Sequence, residues 1–123
     1  MSAELRFIDT NVIVYLFDAD APAKQTIARE IVAAGRLVLS TQVLSEFYVT
    51  VTRKLARPLD PVRASRAVAD LCALPVRDVT ANLVQAAIRR CGATPLSYWD
   101  ALILETALDA GATTLLTEDL QHG

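Results

Sequence analysis

Residues 5–18 read LRFIDTNVIVYLFD, a short apolar run that meets an acid at Asp9 and turns apolar again after Thr10 and Asn11. LRFI has the length and character of a buried strand, and VIVYLFD continues from it as a short helix or a turn into one. A carboxylate at such a junction caps a helix, turns the chain, or holds something positively charged. The choice depends on whether other acids arrive at matching places further along.

The strand-then-helix unit recurs. LVLS (37–40) is a second buried strand, and Ser40 is placed to cap a helix running from Thr41 to about Leu55. PVRDV (75–79) is a short third strand and TTLLT (113–117) a last one. After Pro22, AKQTIAREIVAAG is a helix stopped by Gly35; Pro58 and Pro61 frame a loop, and VRASRAVADLCAL is a helix ending before Pro75. ANLVQAAIRRCG is a helix closed by Gly92, and the helix from Tyr98 to about Ala110 is stopped by Gly111. Strands alternating with helices define an α/β fold whose largely parallel sheet is covered on both faces. Ligands of such sheets bind beyond the carboxyl ends of the strands. Asp9 follows the first strand and Asp119 the last, so both belong at one edge.

The chain of 123 residues is 53% hydrophobic and 21% charged, which suits one domain with a solid core and argues against disorder. No apolar run approaches the roughly 18 residues of a membrane span. MSAELRF carries an acid and no basic run, so no secretory signal is expected and the location expected is cytoplasmic. Cys72 and Cys91 have no metal-like spacing and are expected to be reduced. The net charge is −2, yet the charge is unevenly placed. Arg53, Lys54, Arg57, Arg63 and Arg66 face only Asp60 within residues 53–66, whereas Asp100, Glu105, Asp109, Glu118 and Asp119 have no base among residues 100–119. An acidic centre with a basic rim is the functional reading; two solvated helix faces is the plain one.

Among the acids, Asp100 says most. At about 100° per residue, Trp99, Ile103, Leu104, Ala107 and Leu108 surround it, while Tyr98, Glu105 and Asp109 lie opposite, so Asp100 is expected near the middle of a buried face. SYWD (97–100) also fits a capping box, with Ser97 as N-cap. Glu46 lies too far into its helix to cap it and about 60° outside the apolar arc of Val43, Phe47, Val51, Leu55 and Tyr48, a boundary position. Asp119 alone reads as a turn residue. Acids that converge on one edge repel one another until a cation joins them. With no His or Cys cluster, oxygen ligands favour Mg²⁺ or Mn²⁺, and open carboxylate sites for these ions suit phosphodiester chemistry. Asn11 and Thr117 are neutral hydrogen bonders suited to orienting carboxylates or waters there.

FIDTNVIVYLFD, LSTQVLSEFYVTVTRK, SYWDALILETAL and TTLLTEDLQHG together resemble the PIN-domain ribonucleases, and more closely the VapC-type toxins of type II toxin–antitoxin pairs. The resemblance implies a PIN-like three-layer α/β/α fold with a central parallel sheet. It implies that Asp9, Glu46, Asp100 and Asp119 bind Mg²⁺ or Mn²⁺, with Asn11 and Thr117 as polar helpers. It further implies an RNA substrate, cut by an activated water attacking phosphorus in line, a cognate antitoxin protein, a homodimer and no membrane. Arg53, Lys54, Arg57, Arg63 and Arg66 would then grip RNA phosphates. Relatives usually continue into a further strand beyond the point where this sequence stops, so an edge strand is expected to be missing.

Other readings stay open at this stage. A haloacid-dehalogenase-type phosphatase needs a second aspartate two residues after the first, where Asn11 stands. A nucleotide-binding domain needs a glycine-rich phosphate loop, and none occurs. An inactive RNA- or partner-binding module of the same fold, or a PIN nuclease of RNA processing without toxicity, fits the same residues. His122 is given no catalytic part and Glu105 is expected on the surface, while Glu118 points away from Asp119 if the strand continues and stays open as a further member of the metal shell.

Overall fold

A computed structural model describes residues 4–117. Four strands form one parallel sheet in the order β3-β2-β1-β4. They are β1 (Arg6–Ile8), β2 (Leu37–Ser40), β3 (Val76–Arg77) and β4 (Thr114–Leu116). Six helices join them: α1 (Thr10–Tyr15), α2 (Pro22–Ala33), α3 (Thr41–Arg53), α4 (Pro61–Leu71), α5 (Ala81–Ala93) and α6 (Tyr98–Asp109). The expected α/β class with a central parallel sheet is therefore observed.

Every residue of β2 is buried, on both faces of the pleat, so the sheet is covered on both sides. Phe7, Ile8 and Leu39 are 0–1% exposed, and burying one such side chain contributes about 1.5–3 kcal/mol. The register pairs Phe7 with Val38 on one side and with Leu115 on the other. Neighbours of β1 thus come from residue 38 and from residue 115, and the strand order reverses at β1. A crevice opens where connections leave a parallel sheet in opposite directions, and here it opens beside the carboxyl end of β1.

Local chemistry sets the helix ends. Ser40, Asp60, Thr80 and Ser97 each accept a hydrogen bond from a first-turn N–H, capping α3, α4, α5 and α6. Pro61 starts α4, where its missing N–H has no partner to lose. At the end of α6, Gly111 adopts φ +78°, while its N–H reaches the Leu108 carbonyl and the Ala112 N–H reaches that of Ala107. This left-handed turn swings the chain into β4. Gly92 does not close α5, contrary to expectation. The helix runs through it to Ala93, and Thr94, extended at φ −136° and ψ 165° ahead of Pro95, ends it instead.

Helix α3 buries Val43, Phe47 and Val51 along one stripe, with Phe47 meeting Phe17 edge-on at 5.2 Å. Helices α5 and α6 pack on each other around a smaller cluster of Leu83, Ala87, Ala101 and Leu102. Arg90 and Glu105 join them with an N–O distance of 2.8 Å. Cys72 and Cys91 are free thiols. Among the described residues, no helix is long and apolar enough to cross a membrane.

Candidate active site

Asp9 is the residue on which the crevice is built. It follows β1 directly, its N–H bonds to the Leu116 carbonyl of β4 at 2.9 Å, and its Oδ1 accepts from the Thr10 N–H at 2.6 Å. It is thus the N-cap of α1, held from both sides. Two open hollows meet at this carboxylate. The larger, about 790 Å³, is lined by Asp9, Thr10, Gln42, Glu46, Lys54 and Trp99, together with Asp100. The smaller, about 520 Å³, brings Asn11, Leu115 and Thr117 to Asp9 and Asp100.

Glu46 reaches the crevice from the second turn of α3. Its Oε1 accepts from Thr10 Oγ1 at 2.9 Å and its Oε2 from Gln42 Nε2 at 3.3 Å. Thr10 is 7% exposed, so the hydroxyl that holds Glu46 is fixed in the wall between β1 and α3. Gln42 also donates to the Trp99 carbonyl at 3.4 Å, tying α3 to the first turn of α6. Asp100 stands in that turn, and its own N–H bonds to Ser97 Oγ at 3.1 Å. The Ser97 half of the capping box therefore forms.

The electrostatics follow from this packing. Burial pushes the Asp9 carboxyl above its ordinary value, the Thr10 N–H pulls it back, and the charges of Glu46 and Asp100 push it up again. Asp9 thus lies within reach of the charges of two acids from separate stretches of sequence. Among the described residues, no three acid, histidine or cysteine side chains stand close enough together to hold an ion directly. Glu46 is instead held by hydrogen bonds to Thr10 and Gln42.

Several expectations need correction. Asp100 is exposed rather than central to a buried face: α6 buries Ala101, Leu102, Ile103, Thr106 and Ala107, leaving Trp99 at 60% and Leu108 at 53% exposure. That helix is apolar around most of its circumference, so its periodicity did not fix the inward arc. Glu105 is not a surface acid, since its side chain is only 19% exposed and paired with Arg90. Asp109 meets Arg77 at 3.7 Å, so the described acids of this run do not form one centre; of Asp100, Glu105 and Asp109, Asp100 alone lines the hollows. Tyr48, assigned to the apolar arc of α3, is 40% exposed. Of the five bases, Lys54 lines the larger hollow; Arg53, Arg63 and Arg66 are exposed, and Arg57 is exposed with Asp20 3.5 Å away. Asp119, Glu118 and His122 lie outside the described residues.

Thr10 and Gln42 were missed. Their signal was available only in part: a small polar residue between buried strand and helix in Asp9-Thr10-Asn11, and a glutamine one helical turn before Glu46.

A parallel sheet with acids gathered where its strand order reverses is the frame of a known nuclease class. The PIN domain family model matches residues 6–122, and the chain belongs to that family. No curated protein matches the sequence. Among solved structures, the fold is similar to Mycobacterium tuberculosis VapC20, described as a Sarcin-Ricin loop cleaving toxin. The TM-score is 0.74 at 21% identity, over 94% of this chain and 92% of that one. It is similar also to a toxin–antitoxin complex from Klebsiella pneumoniae, with TM-score 0.72 and 18% identity over 98% of this chain and 89% of that one. A third likeness is to VapBC2 from Rickettsia felis bound to a DNA fragment from their promoter, with TM-score 0.63 and 16% identity over 95% and 89% of the two chains. At these identities the likeness speaks for the fold.

Proposed function

We propose that this protein is a metal-dependent endoribonuclease that hydrolyses RNA phosphodiester bonds, the toxin of a toxin–antitoxin pair restrained by a cognate antitoxin. The single observation that carries the reading is the meeting of Asp9, Glu46 and Asp100 at the switch point of the sheet. Membership of the PIN family and the likeness to VapC-type folds support it. A cytoplasmic homodimer is the setting it implies.

The donor set fits a hard divalent cation. All the side-chain donors are oxygens, and Asp9 is a partly buried acid destabilised by two neighbouring negative charges, a tension that positive charge relieves. Asp9, Glu46 and Asp100 would hold Mg²⁺ or Mn²⁺, in part through water, with Asp119 as a fourth acid by resemblance. When bound, the ion supplies an activated water and neutralises charge on the phosphate oxygens.

The chain's own residues do the rest. Thr10 and Gln42 fix the Glu46 carboxylate between them, and the α1 cap fixes that of Asp9. Asn11, which lines both hollows, and Thr117, which lines the smaller, orient water or ribose hydroxyls there. Lys54 offers a cation to a backbone phosphate lying in the larger one, with Arg53, Arg57, Arg63 and Arg66 steering from outside.

Incubation with total RNA and Mg²⁺, with and without chelator, followed by mapping of the cut ends, tests the activity. Discrete cleavage that chelator and Asp100→Asn both abolish is expected; an Asp100→Asn protein that cuts as fast as the original would refute that residue's role. Growth arrest on expression, relieved by a short neighbouring gene, separates a toxin from a processing nuclease.

A further inference from the structure

We propose that Trp99 is a stacking platform that positions one nucleobase beside the phosphate to be cut. The inference rests on the ribonuclease reading above and adds a residue that positions the substrate.

Trp99 is 60% exposed, and it lines the larger hollow next to Asp100. An indole left in water at the mouth of an acid-lined groove forgoes the burial that large aromatics usually find. It is nevertheless held in place. Its carbonyl accepts from Gln42, Ser97 caps the helix beneath it, and its ring meets that of Tyr98 at 5.0 Å and 70°. Tyr98 in turn packs on the cluster of Leu83, Ala87, Ala101 and Leu102. The steep angle means that Tyr98 braces the indole without covering it in a parallel stack. Val49, 43% exposed, adds apolar surface to the same groove, and Lys54 adds the cation that a phosphate follows. A braced aromatic face in a groove whose far end carries a cation is the chemistry that holds single strands, whose bases are free to stack. Bases of a duplex are already stacked and cannot reach it, so strand and duplex distinguish stacking from simple phosphate attraction.

Trp99 is the sole tryptophan, so indole fluorescence reads the event directly. Rapid mixing of the full chain with Mg²⁺ and a single-stranded RNA oligonucleotide is expected to quench it before turnover, while the matching duplex leaves it bright. Trp99→Ala is expected to raise KM by roughly tenfold to hundredfold, with the loss falling on KM more than kcat, and Trp99→Phe to recover most of it. Equal quenching by strand and duplex, no quenching by either, or a wild-type KM in Trp99→Ala would overturn the proposal. So would an indole emission that shifts with protein concentration alone, the mark of a second copy covering this face. Quenching that persists over uncut RNA would uphold the platform and overturn the nuclease reading instead.

Discussion

Replacing Thr10 by valine removes one hydroxyl at nearly constant volume and tests how the site is held. That hydroxyl is buried in the wall and donates to Glu46 at 2.9 Å. A hydrogen bond to a charged acceptor contributes about 1.5–3 kcal/mol. Glu46 is only partly buried and keeps its bond to Gln42, so water replaces much of the loss and about 1 kcal/mol of stability should go. In a chain of 123 residues that lowers Tm by roughly 4 °C. The effect on the ion should be larger. Groups that orient a ligand are worth about tenfold to a hundredfold in metal affinity, or roughly 1.4–2.8 kcal/mol. Calorimetric titration with Mn²⁺, paired with thermal melts, reads both quantities. Thr10→Ser, which keeps the hydroxyl, should recover the affinity. If Thr10→Val binds Mn²⁺ as tightly as the original, or if Thr10→Ser is no better than the valine, the idea that this hydroxyl positions Glu46 is wrong.

Asp9→Asn keeps a capping oxygen while removing the charge, so it should abolish cleavage yet melt higher than the original in chelator at neutral pH. The folded state holds the Asp9 proton more tightly than the unfolded state, so metal-free stability should fall as pH climbs from the ordinary value of 3.8 through the raised one, and melts across that range should lose this slope in the variant. Glu105→Gln removes one partner of the half-buried pair joining α5 to α6; allowing for screening, about 1–2 kcal/mol and a Tm drop of roughly 4–8 °C are expected by calorimetry. Lys54→Ala should weaken RNA binding and reduce the slope of log affinity against log salt by about 1, whereas Arg57→Ala, outside the groove and close to Asp20, should do less; a filter-binding series over salt concentration compares them.

The elements were legible because their punctuation is chemical. Ser40, Ser97 and Gly111 each act through one local hydrogen bond or one backbone angle, and each does in space what its place in the sequence implies. Gly92 misled because a glycine at negative φ is merely a weak helix residue, and only Thr94 before Pro95 forces the chain out. The placing of Asp9 after β1 and of Glu46 within α3 could be read, since strand ends in a parallel sheet share an edge. The surroundings of Asp100 could not be read from a helix with apolar residues on almost every side, where packing against α5 and the sheet selects the inward arc. Thr10 and Gln42 act by reaching across 36 and 57 residues, and no local pattern announces such a partner.

The pairing of β1 with β4 also has a consequence for biosynthesis. Thr113 Oγ1 and the Leu5 carbonyl are joined across 108 positions, so the first strand laid down waits for nearly the last before its outer side is closed. Contacts that span so much of a chain form late, after the local helices and the earlier β1–β2 pair. A half-made polypeptide emerging from the ribosome therefore carries Asp9 and Glu46 but no finished crevice. Under the nuclease reading proposed above, the site is complete only once synthesis has passed β4.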